Sequence, residues 1–266
     1  MFKKNIFSIK NKIVLVTGAS SGIGEATAIE FAKKGARIAL IARDNQKLEK
    51  IKNIINSDYG EAEYFPFDLL KIDNIVELIQ QVEEYFNDTV DVLVNSAGKA
   101  VLGLVENVSV DAYKENLQLN YFAPLRLIQC VLPGMKKKRA GQVINLFSGV
   151  GKRGLPGVSP YCVTKFALNG LTESLRVEVS QYNIDVILFS PGLVQTDFKT
   201  NQKIYGKLKE TFTNGKTVTA ELVADRIVKA SIKRKRDVIL SFKTLLGIHV
   251  NYWFPALLDK ILAKKL

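Results

Sequence analysis

The run Ile13-Val14-Leu15-Val16-Thr17-Gly18-Ala19-Ser20-Ser21-Gly22-Ile23-Gly24 decides the fold. Its first four residues are aliphatic and read as a short buried strand. Three glycines then crowd into a turn, and a helix is predicted to open near Gly24. Glycines at a strand-to-helix turn let the backbone bend tightly and approach a diphosphate. The helix N-terminus adds free N–H groups and the positive end of its dipole. The spacing is Gly-x-x-x-Gly-x-Gly rather than Gly-x-Gly-x-x-Gly, so the run alone also allows a Gly-rich turn without a ligand.

Outward from this turn, β-branched runs alternate with segments of helical period. Strands are predicted at 12–16, 37–42, 63–67, 90–95, 142–147, 184–189 and 237–241. Between them, Asn74 to Phe86 places Ile75, Leu78, Ile79, Val82 and Phe86 on one helical face. Several strands, such as Ile38-Ala39-Leu40-Ile41 and Val92-Leu93-Val94, are apolar throughout, as strands covered on both faces are. The alternation predicts an α/β fold: one Rossmann-type, doubly wound domain over 1–266, with a mostly parallel seven-stranded sheet and helices on both faces. The core would span 10–241, followed by an amphipathic extension over 243–266. The polar stretch 193–216, containing Gly206 and Gly215, is a candidate lid over a substrate.

Composition narrows the function. A chain of 266 residues with 47% hydrophobic and 24% charged residues is ordinary for a folded soluble protein. Two cysteines, Cys130 and Cys162, and one histidine, His249, leave no disulfide framework and no metal-site spacing. Lys and Arg number 38 against 26 Asp and Glu, a formal net charge of +12. That excess points to an anionic partner such as nucleic acid, a membrane surface or a phosphorylated ligand. Residues 1–12 are basic without an apolar stretch long enough for a signal peptide. The expected location is the cytoplasm, with peripheral membrane contact as a second option.

The first turn, Thr17-Gly18-x-x-x-Gly22-x-Gly24, resembles that of the short-chain dehydrogenase/reductase family, and the family's other motifs follow in order. Asn95-Ser96-Ala97-Gly98 is similar to Asn-Asn-Ala-Gly, with Ser in place of the second Asn. Asn120 lies in the next helical region, Ser148 ends the fifth strand, and Tyr161-Cys162-Val163-Thr164-Lys165 matches Tyr-x-x-x-Lys. Pro191-Gly192 follows the sixth strand. The resemblance spans about residues 10 to 241. It implies a catalytic set of Asn120, Ser148, Tyr161 and Lys165. It also implies cofactor contacts from Gly18, Ser20, Ser21, Gly22, Ile23, Gly24, Asp68, Leu69, Asn95, Ala97, Gly98, Tyr161, Lys165, Pro191, Gly192, Val194 and Thr196. Lys165 would bind the ribose hydroxyls and Asn120 would hold a water in a proton relay. Thr196 would contact the nicotinamide carboxamide or cap the segment beginning at Asp197.

The end of the second strand bears on the cofactor form. An acid at the end of the second strand would bind the 2′-hydroxyl of NAD, and an Arg there accommodates the 2′-phosphate of NADP. Ala42-Arg43 holds that place and Asp44 reads as a helix N-cap, so NADP(H) is favoured over NAD(H). Reducing a carbonyl needs a proton donor, and a Tyr serves if its pKa of ~10 is brought down. On a helix, Tyr161 and Lys165 at i and i+4 share a face, where the ammonium favours phenolate. Pro160 suits the first turn of that helix. Ser148 would donate to the substrate oxygen.

Residues 244–258 carry no charged side chain, and Pro255 interrupts them. This stretch is too short for a ~20-residue span. Residues 256–266 read as an amphipathic helix. Three readings stay open for the tail: a homodimer interface or cap on the substrate cleft, shallow insertion into a membrane with Trp253 at headgroup level, or completion of the core. His249 reads as a packing residue, and Cys162 as facing away from the cofactor. The basic runs Lys136-Lys137-Lys138-Arg139 and Lys233-Arg234-Lys235-Arg236 read as solvated helix C-termini. Lys152 and Arg153 could favour an anionic substrate or lie in solvent. The expected function is NADP(H)-dependent hydride exchange with a carbonyl or secondary alcohol, on a small-molecule, lipid-like or otherwise apolar substrate. The expected assembly is a homodimer or homotetramer, with no nucleic-acid partner. The competing reading is a non-catalytic nucleotide-sensing, membrane- or RNA-associated binding protein, which would not need all four catalytic residues.

Overall fold

A computed structural model describes residues 6–198, 202–206 and 217–264. The chain begins β1 (Ile13–Thr17), α1 (Gly22–Ala32), β2 (Arg37–Ala42), α2 (Asn45–Asp58), β3 (Ala62–Pro66), α3 (Ile75–Phe86) and β4 (Val92–Asn95). It continues β5 (Val101–Gly103), α4 (Val110–Leu117), α5 (Ala123–Lys138), β6 (Gly141–Leu146), α6 (Ser159–Glu178) and β7 (Ile184–Ser190). Then come β8 (Lys203–Tyr205), α7 (Ala220–Ile232), β9 (Asp237–Ile239), α8 (Phe242–Trp253) and α9 (Pro255–Ala263).

Seven strands form one sheet in the order β3-β2-β1-β4-β6-β7-β9, and every pairing in it is parallel. The strand order reverses between β1 and β4, which opens a crevice beyond their C-terminal ends. Successive β1 residues alternate between two cores. Val14 and Val16 pack with Phe31 of α1, Leu48 of α2 and Ile227 of α7. Ile13 and Leu15 pack with Leu78 of α3, Leu127 of α5 and Leu175 of α6. Burial on both faces explains the unbroken apolar runs. Each such aliphatic side chain contributes about 1.5–3 kcal/mol. The five apolar residues expected on one face of α3 are the five it buries.

Four features depart from the sequence reading. First, β5 and β8 pair as a second, two-stranded parallel sheet, so 203–205 of the expected lid is anchored strand. Residues 199–201 and 207–216 of that lid lie outside the described residues. Second, the charge-free stretch of the tail is mostly helix α8, which Pro255 separates from α9. None of its α8 residues is fully buried and α9 buries only Leu262, so the tail does not complete the core. His249 faces outward rather than packing.

Third, the basic runs end helices as expected but are not wholly solvated. Lys138 donates to Thr89 O at 2.8 Å and pairs with buried Asp91 at 3.2 Å. Arg234 is nearly buried and pairs with Asp185 at 2.7 Å. These cations tie helix ends to the sheet. Fourth, Lys152 pairs with Glu173 at 2.9 Å, and Arg153 bonds Asn251 at 2.8 Å and Asp259. Arg153 therefore clamps the tail to the loop after Ser148.

Candidate active site

The first turn is built so that only glycine fits. Gly18 and Gly22 take φ of +67° and +56°, a left-handed backbone that disfavours side chains. A Cβ on Gly18 would lie 2.9 Å from Ala97 Cα, so β1 and the Asn95–Gly98 segment meet without a gap. A Cβ on Gly24 would overlap the Gly18 carbonyl group. Helix α1 opens at Gly22, two residues earlier than expected, and its N-cap Ser21 makes no side-chain cap bond. The first-turn N–H groups thus remain for an anion. Thr17, which sequence reasoning did not place in the site, clamps the turn. Its Oγ1 accepts from Ser96 N at 3.0 Å and Ala97 N at 3.1 Å. A polar residue closing an apolar strand was the available signal.

The other expected cofactor residues ring the same edge. Arg43 is exposed just after β2, and Asp44 caps α2 by accepting from Lys47 N at 3.1 Å. Asp68 accepts from Leu70 N at 3.1 Å beyond the end of β3, beside buried Leu69. Asn95 donates to Asn145 Oδ1 at 2.8 Å. After β7, Pro191 is buried and Gly192 takes φ +78°. Val194 bridges to Val218, and Ser20 and Ile23 are half-buried in the first turn. Thr196 faces Gly22, where a Cβ would lie 3.0 Å from its Cγ2. Its Oγ1 also accepts from Phe198 N at 3.4 Å, which is the expected cap on the segment beginning at Asp197. A glycine cradle, an open helix N-terminus and a cation beyond β2 fit a nicotinamide dinucleotide.

The four expected catalytic residues converge from β6, α6 and the α4–α5 junction. Lys165 reaches from α6 to Leu146 O at 2.8 Å, two residues before Ser148. Its ammonium lies 5.5 Å from the Tyr161 ring centroid. Ser148 caps the turn 149–151, and Gly151 of that turn packs against the Lys165 carbonyl, where a Cβ would sit 2.7 Å away. Asn120 sits on a π-helical turn over Gln118–Phe122, the kind of bulge that redirects a side chain inward. Its Nδ2 donates to Lys99 O at 2.8 Å, Asn116 Oδ1 at 3.0 Å and Thr164 Oγ1 at 3.2 Å. Asn116 and Thr164 escaped the sequence reading, although Asn116 stands four residues from Asn120. Cys162 is buried, its Sγ accepting from Leu155 N at 3.5 Å. Phe198 lies beside the Tyr161 ring, with centroids 6.0 Å apart.

A matched family follows from the sequence of these parts. The family model of the short chain dehydrogenases matches residues 12–204. The chain belongs to that family. A Drosophila melanogaster protein, dehydrogenase/reductase SDR family protein 7-like, is 32% identical over 97% of this chain and 81% of its own length. A fatty acyl-CoA reductase from Acinetobacter baylyi is 34% identical over 93% of this chain and 81% of its own length. Among solved structures, the alcohol dehydrogenase of Thermococcus sibiricus complexed with 5-hydroxy-NADP has TM-score 0.76 and 28% identity, covering 87% of this chain and 96% of that one. The short-chain dehydrogenase is thus an oxidoreductase of CH–OH and C=O groups that uses a nicotinamide cofactor.

Burial sets the charge states in a way the spacing alone did not convey. It pushes the Tyr161 phenol up from its ordinary value, and it pulls Lys165 down from 10.5 to about 8. The ammonium does not offset the burial, so the protein keeps Tyr161 protonated, as a proton donor must be. The effect on stability has a definite sign. Between about pH 8 and 10.5 the unfolded chain holds a proton on Lys165 that the folded chain has released, so stability rises with pH there. We expect the stability of wild type relative to Lys165→Met to grow by about 2 kcal/mol between about pH 7 and 9.5 in urea titrations. A difference independent of pH would show that Lys165 keeps an ordinary pKa.

Proposed function

We propose that this short-chain dehydrogenase is an NADP(H)-dependent reductase of an apolar, lipid-like carbonyl compound, exchanging hydride with a carbonyl or the corresponding secondary alcohol. The bound nicotinamide supplies or takes the hydride. Tyr161 gives the proton to the carbonyl oxygen, Ser148 donates a hydrogen bond to that oxygen, and Lys165 binds the ribose hydroxyls. Asn120 orders the proton path behind Thr164.

The observation that carries the NADP(H) assignment is Ala42-Arg43 at the end of β2. No carboxylate ends that strand, and Asp44, the nearest acid, is committed to the N-terminus of α2. A guanidinium at this place suits a 2′-phosphate. Removing it should lower kcat/KM for NADPH about 10- to 100-fold, as loss of a charge-assisted bond does, and leave NADH nearly unchanged. Steady-state kinetics of Arg43→Ala with both cofactors measures this. Equal losses with both would reject the assignment.

An apolar substrate is supported by Phe198 beside Tyr161, by half-exposed Leu193, and by the similarity to a fatty acyl-CoA reductase. We further propose a cytoplasmic protein that assembles as a homodimer or homotetramer. Free Cys130 and Cys162 fit a reducing compartment.

A further inference from the structure

We propose that α8 and α9 form a surface that docks on an anionic lipid bilayer. In α8, Phe242, Leu245, Leu246, His249, Tyr252 and Trp253 recur at three- and four-residue intervals, and all face outward. Phe254, just before α9, and Leu257 and Ile261 within it are likewise exposed apolar side chains. Phe242 and Tyr252 are each 75% exposed and Trp253 69%. An apolar stripe this continuous, left in water, marks a contact surface.

The orientation of the stripe is fixed from behind. Thr244 packs tightly on Gly149, and a Cβ on Gly192 would lie 3.1 Å from Ser241 Cβ. Arg153 holds Asn251 of α8 and Asp259 of α9. These contacts occupy the inward face, so the stripe cannot rotate into the protein.

Charge selects the occupant. Asp259 is the only acid in 242–266, and Arg153 engages it. Lys243, Lys260 and Lys264 stand exposed around the apolar surface, on a chain of net charge +12. A second copy would bring the same cations to the contact, whereas anionic headgroups complement them. Each cation near such a surface adds roughly a fivefold gain in partitioning. No helix among the described residues is long and apolar enough to cross a membrane, and two short amphipathic helices with aromatic rings at their junction suit the interfacial plane. Docking would bring the turn after Ser148, on which α8 packs, up to the lipid surface.

Trp253 is the only tryptophan in the chain, so its emission reports on this surface alone. The test mixes the full chain with phosphatidylcholine vesicles, with and without about one third phosphatidylglycerol. We expect a blue shift and co-flotation with the anionic vesicles, at least tenfold stronger than with neutral ones and weakened by salt. The triple variant Phe242→Glu, Leu246→Glu, Leu257→Glu keeps Trp253 and only exposed positions change. It should lose at least tenfold in partitioning while melting at the wild-type temperature. Absence of both signals, or undiminished binding by the folded variant, overturns the proposal. So does a blue shift without vesicles that tracks protein concentration and a doubled mass, which would assign the surface to a second copy. Vesicle binding needs no turnover, so this result and the reductase assignment succeed or fail separately.

Discussion

Tyr161→Phe is expected to slow carbonyl reduction about a thousandfold while leaving the NADPH dissociation constant within a few-fold of wild type. The substitution removes one oxygen and its proton. The ring remains beside Phe198, and Lys165 keeps its bond to Leu146 O, so the cradle for the cofactor is undisturbed. Reduction adds a hydride at carbon and a proton at oxygen. Of the residues that converge here, Tyr161 combines an acidic O–H with an environment that holds the proton on at neutral pH. Ser148 is too weak an acid to replace it, and its proposed part is a hydrogen bond to the carbonyl oxygen. Fluorescence titration with NADPH and steady-state rates on the same preparation separate the two effects. Undiminished turnover would remove Tyr161 from the chemistry.

The second large effect is expected at Gly24. An alanine there places a methyl group on the Gly18 carbonyl, with the carbonyl carbon only 2.7 Å from it. Both partners are backbone, so neither can rotate away. The first turn of α1 must move relative to β1, and its N–H groups leave their places. Displacement of a binding element by about 1 Å can cost a hundredfold, so NADPH affinity should fall by about that much. Gly170 supplies the control. It lies within α6, and a Cβ there meets nothing. Gly170→Ala should leave binding unchanged and stabilise the protein by roughly 0.5–1 kcal/mol, as alanine does for glycine inside a helix. Equal behaviour of the two alanine variants in NADPH titration would contradict the close-approach argument.

The parts legible in the sequence share a local cause. Strand positions were readable because residues such as Val14 and Leu15 face two different apolar cores, which leaves an unbroken aliphatic run. Glycines in the first turn were readable because their need arises within one strand–helix unit. The Tyr161–Lys165 pair was readable because i and i+4 share a face on any helix.

What escaped depends on contacts between distant residues. Arg234 looks like part of a solvated cationic run until Asp185 is seen beside it. Arg153 meets Asp259 across 106 positions, so its clamp on the tail has no local trace. Strands β5 and β8 are three residues each and exist only because tertiary packing brings them together. Tyr161 shows the same limit in its chemistry. Helical spacing predicts a cation nearby, but only the enclosing structure reveals that burial outweighs that cation.

The most direct test of the central claim follows the transferred atom. The protein is incubated with NADPH carrying deuterium at the nicotinamide C4 and with a panel of long-chain ketones and aldehydes, and the alcohol products are examined by mass spectrometry. An alcohol with one deuterium on the former carbonyl carbon is expected, formed by wild type and nearly absent with Tyr161→Phe. Tight NADPH binding with no labelled alcohol from any apolar carbonyl would contradict it.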